Sequence, residues 1–229
     1  MPLLPRRFKK IKSVLERRMS NLTILTEEIE KPHNLSAILR TCDAVGVLEA
    51  HAVFKENRIP TFNSTAQGSQ KWVKLNRHKS IEVAIKYLKG MGFKLYGTNL
   101  NENAKDYRMF DYRGPTAFVM GAEKWGLSKS ASMLVDESIF IPMRGMVQSL
   151  NVSVASAALL FEALRQREQE GNHLDSRENI SEALYNKTLF EWCYPEVANW
   201  CKSHGRDYPK LNPVGEIMEN LPRTKKFRC

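Results

Sequence analysis

Residues 141–164, IPMRGMVQSLNVSVASAALLFEAL, are the feature that most constrains what this chain can fold into. The apolar run Ser138-Ile139-Phe140-Ile141 reads as a strand, and the apolar stretch that follows the loop reads as a long helix starting near Asn151. Three kinds of residue meet between them. Pro142 cannot donate to a sheet ladder, Gly145 permits backbone angles that other residues resist, and Ser149 and Asn151 are both good N-cap types. A loop delivered to a helix N-terminus leaves backbone N–H groups available to polar atoms or an anion. The same pattern also serves an ordinary strand-loop-helix connection with a good cap.

The rest of the chain supplies the frame for that loop. Residues 22–29 read as a strand, Lys31-Pro32-His33 breaks the chain, and Asn34 is placed to cap a helix that runs to Val45 and closes at Gly46. On this helix Leu35, Ile38, Leu39, Cys42 and Val45 form one apolar stripe, and Arg40 falls on the roughly opposite face. Arg40 is therefore expected outside the core, as a solvated charge or as a contact for a phosphate, a carboxylate or a partner. Strands are expected over 48–54, 71–75, 93–98 and 116–121, with a polar loop over 61–69 and a helix capped by Ser80 that stops at Gly90 and Gly92. Strands separated by helices predict an α/β fold, a mainly parallel sheet with helices on both faces. In such sheets ligands gather beyond the carboxyl ends of the strands. Three strand ends carry candidate loops: Thr98-Asn99, then Gly121-Ala122-Glu123-Lys124-Trp125-Gly126, then the Pro142 loop.

Gly121 and Gly126 are candidates for bringing backbone close to a ligand, with Glu123 between them. The dinucleotide fingerprint G-x-G-x-x-G is missing, as are G-x-x-x-x-G-K-[ST], H-E-x-x-H and G-x-S-x-G, which disfavours those chemistries. Cys42, Cys193, Cys201 and Cys229 form no C-x-x-C pair. Neither a metal site nor a disulfide framework is indicated, and reduced thiols in the cytoplasm are the simpler expectation. The basic N-terminus has no apolar signal region, and the longest apolar run, 152–164, carries Ser153, Ser156 and Glu162 and is too short to span a bilayer. No membrane association is expected.

The balance of 35 Lys and Arg against 25 Asp and Glu leaves +10, which favours a polyanionic partner. Much of that charge sits near the ends. Residues 5–19 read as an amphipathic helix, with Phe8, Ile11, Val14, Leu15 and Met19 on one side and Arg6, Arg7, Lys9, Lys10, Lys12, Arg17 and Arg18 elsewhere. With Phe8 its one aromatic, nucleic-acid phosphate suits it better than a membrane surface; a solvated helix packed by its stripe is the plainer alternative. Arg165 and Arg167 lie near the end of the long helix, which runs out near Gly171. Beyond it come a helix capped by Ser181, a shorter one around 197–201 and a basic tail over 223–228. Trp192 and Trp200 are expected to pack on the main domain or across an oligomer interface. The expected organisation is a basic N-terminal helical extension (1–20), a central domain (21–170) and a C-terminal helical extension with a basic tail (171–229).

Taken together, Asn34, Arg40, Ala44 and Gly46, then Val119-Met120-Gly121 with Glu123 and Gly126, then Ile141-Pro142-Met143 with Gln148-Ser149-Leu150-Asn151-Val152-Ser153, resemble the three motifs of the SPOUT-class RNA 2′-O-ribose methyltransferases. The resemblance is closest to the SpoU branch that methylates guanosine 18 in the tRNA D-loop, and covers residues 22–170. It implies a SPOUT-type sheet with a C-terminal trefoil knot, S-adenosyl-L-methionine as cofactor, and a homodimer. Carried onto this chain, it implies cofactor contacts from Thr98, Gly121, Ile141, Ser149 and Leu150, largely through backbone groups. Asn34, Glu123 and Asn151 support the site, and Arg40 is catalytic, in a pocket completed by a second subunit. Arg6, Arg7, Arg17, Arg18, Arg165 and Arg167 are expected to bind tRNA phosphate. Two alternatives stay open. One is a 2′-O-methyltransferase of ribosomal RNA or of another tRNA position, although some twenty residues ahead of the first strand favour tRNA. The other is a non-catalytic RNA-binding protein.

Overall fold

Leu22–Glu27 (β1) is buried at every position, as a strand covered on both faces must be. It lies near the middle of a seven-stranded sheet in a computed structural model that describes residues 4–54, 71–169 and 180–219. The expected polar loop 61–69, the helix end near Gly171, the tail 223–228 and Cys229 lie outside the described residues. The remaining strands are Glu49–Val53 (β2), Lys74–His78 (β3), Lys94–Thr98 (β4), Lys105–Asp106 (β5), Thr116–Met120 (β6) and Glu137–Phe140 (β7). Their order is β3-β2-β1-β6-β4-β7-β5, and every pairing is parallel. The helices are Pro5–Leu15 (α1), Pro32–Val45 (α2), Ile81–Gly90 (α3), Lys129–Leu134 (α4), Val152–Gln169 (α5), Glu182–Cys193 (α6) and Pro195–Ser203 (α7).

The chain divides into two compact units, Met19–His173 and a second made of Met1–Arg18 with Leu174–Cys229. In the first, one face of the sheet presents Leu25, Leu95, Ala117 and Val119 to Ile81, Ala84, Ile85 and Leu88 of α3 and Ala131 of α4. Residues of the opposite parity, Tyr96 and Phe118, meet Tyr112 edge to face at 4.9 and 5.0 Å, on the side where α2 and α5 pack together. Helix ends follow their caps: Ser80 and Ser128 accept from Val83 N and Ala131 N, and Gly46 closes α2 at φ 88°.

Three local expectations shift. Asn34 does not cap α2, because Pro32 starts the helix one turn earlier and the Asn34 side chain points elsewhere. The third strand begins at Lys74 rather than residue 71; Glu49 on β2 binds both Lys74 Nζ at 2.9 Å and Asn76 Nδ2 at 2.6 Å, a cross-strand register no local pattern reveals. The N-terminal helix stops at Leu15, and Met19 instead bridges to Val47 in the sheet unit.

The second unit joins both ends of the chain, which the sequence presents as separate extensions. Phe8, Ile11 and Leu15 of α1 are buried, and α1 packs on α6. Phe8 lies against Gly215, where φ is 89° and any Cβ would overlap the ring. Phe190, Val197, Ala198 and Cys201 form a small core with Tyr194, Trp200 and Tyr208 around it. Trp192 receives the Arg18 guanidinium 5.3 Å from its ring centre, and Trp200 stacks on His204 at 4.5 Å.

Candidate active site

The strand order decides where a site can form. β6, β4 and β7 are neighbours, so the loops leaving their carboxyl ends emerge side by side. Between those loops lies a cavity of about 430 Å³. Thr98, Gly121, Ile141, Ser149 and Leu150, the five residues expected to hold a cofactor, all line it, as do Glu123 and Asn151. Its inner wall is apolar, with Ile139, Val152 and Leu159 buried behind the loops. Thr98 Oγ1 is turned back to donate to Val119 O at 3.2 Å, and Asn99 N donates to Ile139 O at 3.0 Å, tying the β4 end to both neighbouring strands.

The loop after β6 is closed on itself. Gly126 N donates to Ala122 O at 2.9 Å, and Gly126 takes φ 67°, a left-handed angle that favours glycine. A Cβ on Gly121 would overlap the backbone of Gly126 and Leu127. Both glycines therefore serve first the close return of their own loop, where the sequence suggests close approach to a ligand.

Glu123 is the hub of a hydrogen-bond network joining three distant segments. Its carboxylate accepts from Glu30 N at 3.2 Å, Lys31 N at 3.4 Å and Asn34 Nδ2 at 2.7 Å. Asn34, 2% exposed, accepts in turn from Asn151 Nδ2 at 3.2 Å, and Asn151 Oδ1 accepts from Ser153 N at 2.9 Å and Ser153 Oγ at 2.6 Å. Asn151 is thus the N-cap of α5, as its residue type suggests, while Ser149 remains on the cavity wall. Partial burial works against ionisation of Glu123, but the donors from Asn34 and the backbone outweigh it and hold the carboxyl below its ordinary value. A carboxylate is needed here, since every neighbour donates.

Arg40 lies on the outer face of its helix. It is exposed on α2, opposite the buried Leu35, Ile38, Leu39 and Cys42, and does not line the cavity. Of the six arginines expected to meet RNA, Arg6, Arg7, Arg17 and Arg165 are exposed. Arg165 is held by Glu162, with both guanidinium–carboxylate bonds between 2.6 and 2.8 Å.

Arg18 and Arg167 are corrections. Arg18 is 1% exposed, packed over Trp192. Arg167 is 5% exposed and donates to the carbonyls of Tyr112, Asn21 and Gly114 and to Asn21 Oδ1, at 2.5 to 3.1 Å. Burial lowers its pKa to about 10, which still leaves it charged at neutral pH. Its donors are spent on the fold. Sequence reasoning passed over Lys31, Leu100 and Trp125 on the cavity rim. Their signal was position alone, next to Pro32, after Thr98-Asn99 and inside the Gly121–Gly126 loop.

Comparison with known proteins agrees with this geometry. The model of the SpoU rRNA Methylase family matches residues 21–161, and that of the SpoU rRNA methylase C-terminal segment matches 165–220. A tRNA (guanosine(18)-2′-O)-methyltransferase of Thermus thermophilus is 55% identical over 186 residues, 81% of this chain and 95% of that protein. The crystal structure of the Aquifex aeolicus TrmH/SpoU tRNA modifying enzyme superposes with a TM-score of 0.78 at 39% identity, covering 84% of this chain and 97% of that one. The SpoU methyltransferase AviRb of Streptomyces viridochromogenes, solved in complex with AdoMet, gives a TM-score of 0.60 at 28% identity, covering 66% of this chain and 62% of that one. The chain belongs to the SpoU methylase family, among the RNA 2′-O-ribose methyltransferases of the TrmH type.

Proposed function

We propose that this chain transfers a methyl group from S-adenosylmethionine to the ribose 2′-oxygen of guanosine 18 in the tRNA D-loop. The observation that carries the reading is the cavity at the adjacent ends of β4, β6 and β7, walled by backbone-rich loops and braced by Glu123, Asn34 and Asn151. Its apolar inner wall and loop backbone groups suit a nucleoside cofactor with a polar tail. When bound, that cofactor supplies a sulfonium methyl already activated for transfer. Gly121, Ile141, Ser149, Leu150 and Thr98 hold it in this reading, and the loops keep water away from the reacting atoms.

What remains for the protein is to align the ribose oxygen and manage its charge. Arg40, exposed and away from this cavity, acts in the cavity of a second copy within a homodimer. A guanidinium is a poor base, so its role is to hold the neighbouring phosphate and to stabilise negative charge growing on the ribose oxygen. The knot belongs to the same reading: β7 pairs with β4 rather than with β6, and the chain passes residues 141–151 before α5 returns against α2. Threading that segment through the preceding loops would lock the cofactor walls together. In functional terms, residues 21–170 form the methyltransferase domain, with Arg165 as one phosphate contact, and the segments 1–20 and 171–229 serve RNA binding, with Arg6, Arg7 and Arg17 as further phosphate contacts. The setting is cytoplasmic.

The experiment is transfer of labelled methyl from S-adenosylmethionine to unmodified tRNA, with the product mapped by resistance to alkaline cleavage, which needs a free 2′-hydroxyl. Protection at guanosine 18, lost in Arg40→Ala and partly kept in Arg40→Lys, is the expected result. Labelling of ribosomal RNA alone would keep the reaction and overturn the substrate. An Arg40→Lys variant as inactive as Arg40→Ala would overturn the electrostatic role.

A further inference from the structure

The rim of the cavity carries a group that the reaction so far leaves unused. Trp125 lines the cavity yet is 78% exposed. A large aromatic ring in water is unfavourable unless something covers it, and here it sits on a loop with little freedom to retract. On one side of Trp125 the loop is pinned by Glu123 to three donors; on the other, Gly126 is bonded back to Ala122. The ammonium of Lys124 lies 5.6 Å from the indole centre, and Lys31 stands on the same rim. The group is thus an aromatic surface with one cation beside it and a second along the same cavity wall.

That combination fits a nucleotide. Aromatic rings take up unstacked bases, and lysines hold the phosphates on either side. A ribose oxygen inside folded RNA must be brought out before it can be aligned, and its own base comes with it. We propose that Trp125 is the stacking platform for the base of the nucleotide being methylated, with Lys31 and Lys124 contacting its flanking phosphates. This rests on the methyltransferase reading of the cavity and adds a positioning residue to it. Stacking on an aromatic face tolerates any base, because every base presents a π-face. Trp125 therefore sets how well the acceptor nucleotide is held, rather than which base it carries.

A cycle of protein and substrate changes tests the assignment in the full chain. Wild type, Trp125→Ala and Trp125→Phe are compared on tRNA and on the same tRNA carrying an abasic ribonucleotide, with its 2′-hydroxyl intact, at the mapped acceptor position. On normal tRNA, Trp125→Ala should lose roughly tenfold in kcat/KM, and Trp125→Phe, which keeps an aromatic face, should recover most of it. On the abasic tRNA, wild type and Trp125→Ala should turn over equally. S-adenosylmethionine affinity without RNA, measured by equilibrium dialysis, should stay within about twofold, since stacking acts on the RNA alone. An equal loss on both RNAs, or a loss that follows cofactor affinity, overturns the platform and leaves the methyltransferase reading standing. Failure of the wild type to methylate any RNA refutes the reading and the platform together.

Discussion

Arg165 and Arg167 lie two positions apart on α5, which turns their side chains about 200° from each other. One faces solvent beside Glu162, and the other enters the core to close four oxygen acceptors. The acceptors include carbonyls of residues 21, 112 and 114, all in segments leading into β1 and β6. Removing the guanidinium deletes four charge-assisted hydrogen bonds at a buried site, each worth about 1.5–3 kcal/mol, although Thr116 still donates to all three carbonyls. Arg167→Ala should therefore lower unfolding free energy by at least about 3 kcal/mol, read from urea denaturation. Arg165→Ala should leave stability close to wild type and weaken RNA binding instead. An Arg167→Ala protein as stable as wild type but deficient in RNA binding would reverse these roles. A signal for the difference was present in the sequence. Ser156, Leu160 and Ala163 share a face, and Arg167 continues that spacing, so the helical period marked it as inward while its charge suggested the reverse.

Elements were legible where the pattern is local, and less so where pairing is remote. Alternating strands and helices sufficed for a parallel α/β sheet, and the stripe of α2 placed Arg40 outside the core. The adjacency of the β4, β6 and β7 ends could not be read, because strand order is decided by pairings across more than twenty residues. The motif resemblance supplied that adjacency indirectly. Remote pairing also creates the contact of His51 on β2 with His78 on β3, whose ring nitrogens lie 2.9 Å apart. Burial, then the neighbouring His78, lowers the His51 pKa from 6.5 to about 4. Between those values the unfolded chain holds the proton and the folded chain does not, so stability rises with pH. The contribution is complete above about pH 6.5 and shrinks as pH falls towards 4, by up to about 3 kcal/mol. Urea midpoints at pH 7.5 and pH 5 should differ in wild type, and His51→Phe should flatten that difference. An unchanged pH dependence in the variant would assign the loss to other groups.

At the scale of the whole molecule, the net charge of +10 matters through where it is exposed. Residues 16 and 185 meet through a hydrogen bond of 3.4 Å, and contacts of that span gather both chain ends into one unit that no local pattern could announce. Within that unit α1 buries Phe8, Ile11 and Leu15, which leaves Arg6, Arg7 and Arg17 in solvent while Arg18 turns inward. Phosphate contacts made by exposed cations release counterions, so each one steepens the fall of affinity with salt, by roughly 0.7–0.9 in the slope of log K against log salt concentration. Replacing Arg6, Arg7 and Arg17 together with alanine should therefore reduce the slope for tRNA by about 2 to 3. Cofactor affinity in the absence of RNA should not move, because every residue lining the cavity belongs to the other unit. Arg18→Ala should instead weaken the unit by removing a buried ring contact, with the slope unaltered. If the triple variant kept the wild-type slope, α1 would be a packed, solvated helix, and the tRNA backbone would have to be held by another surface.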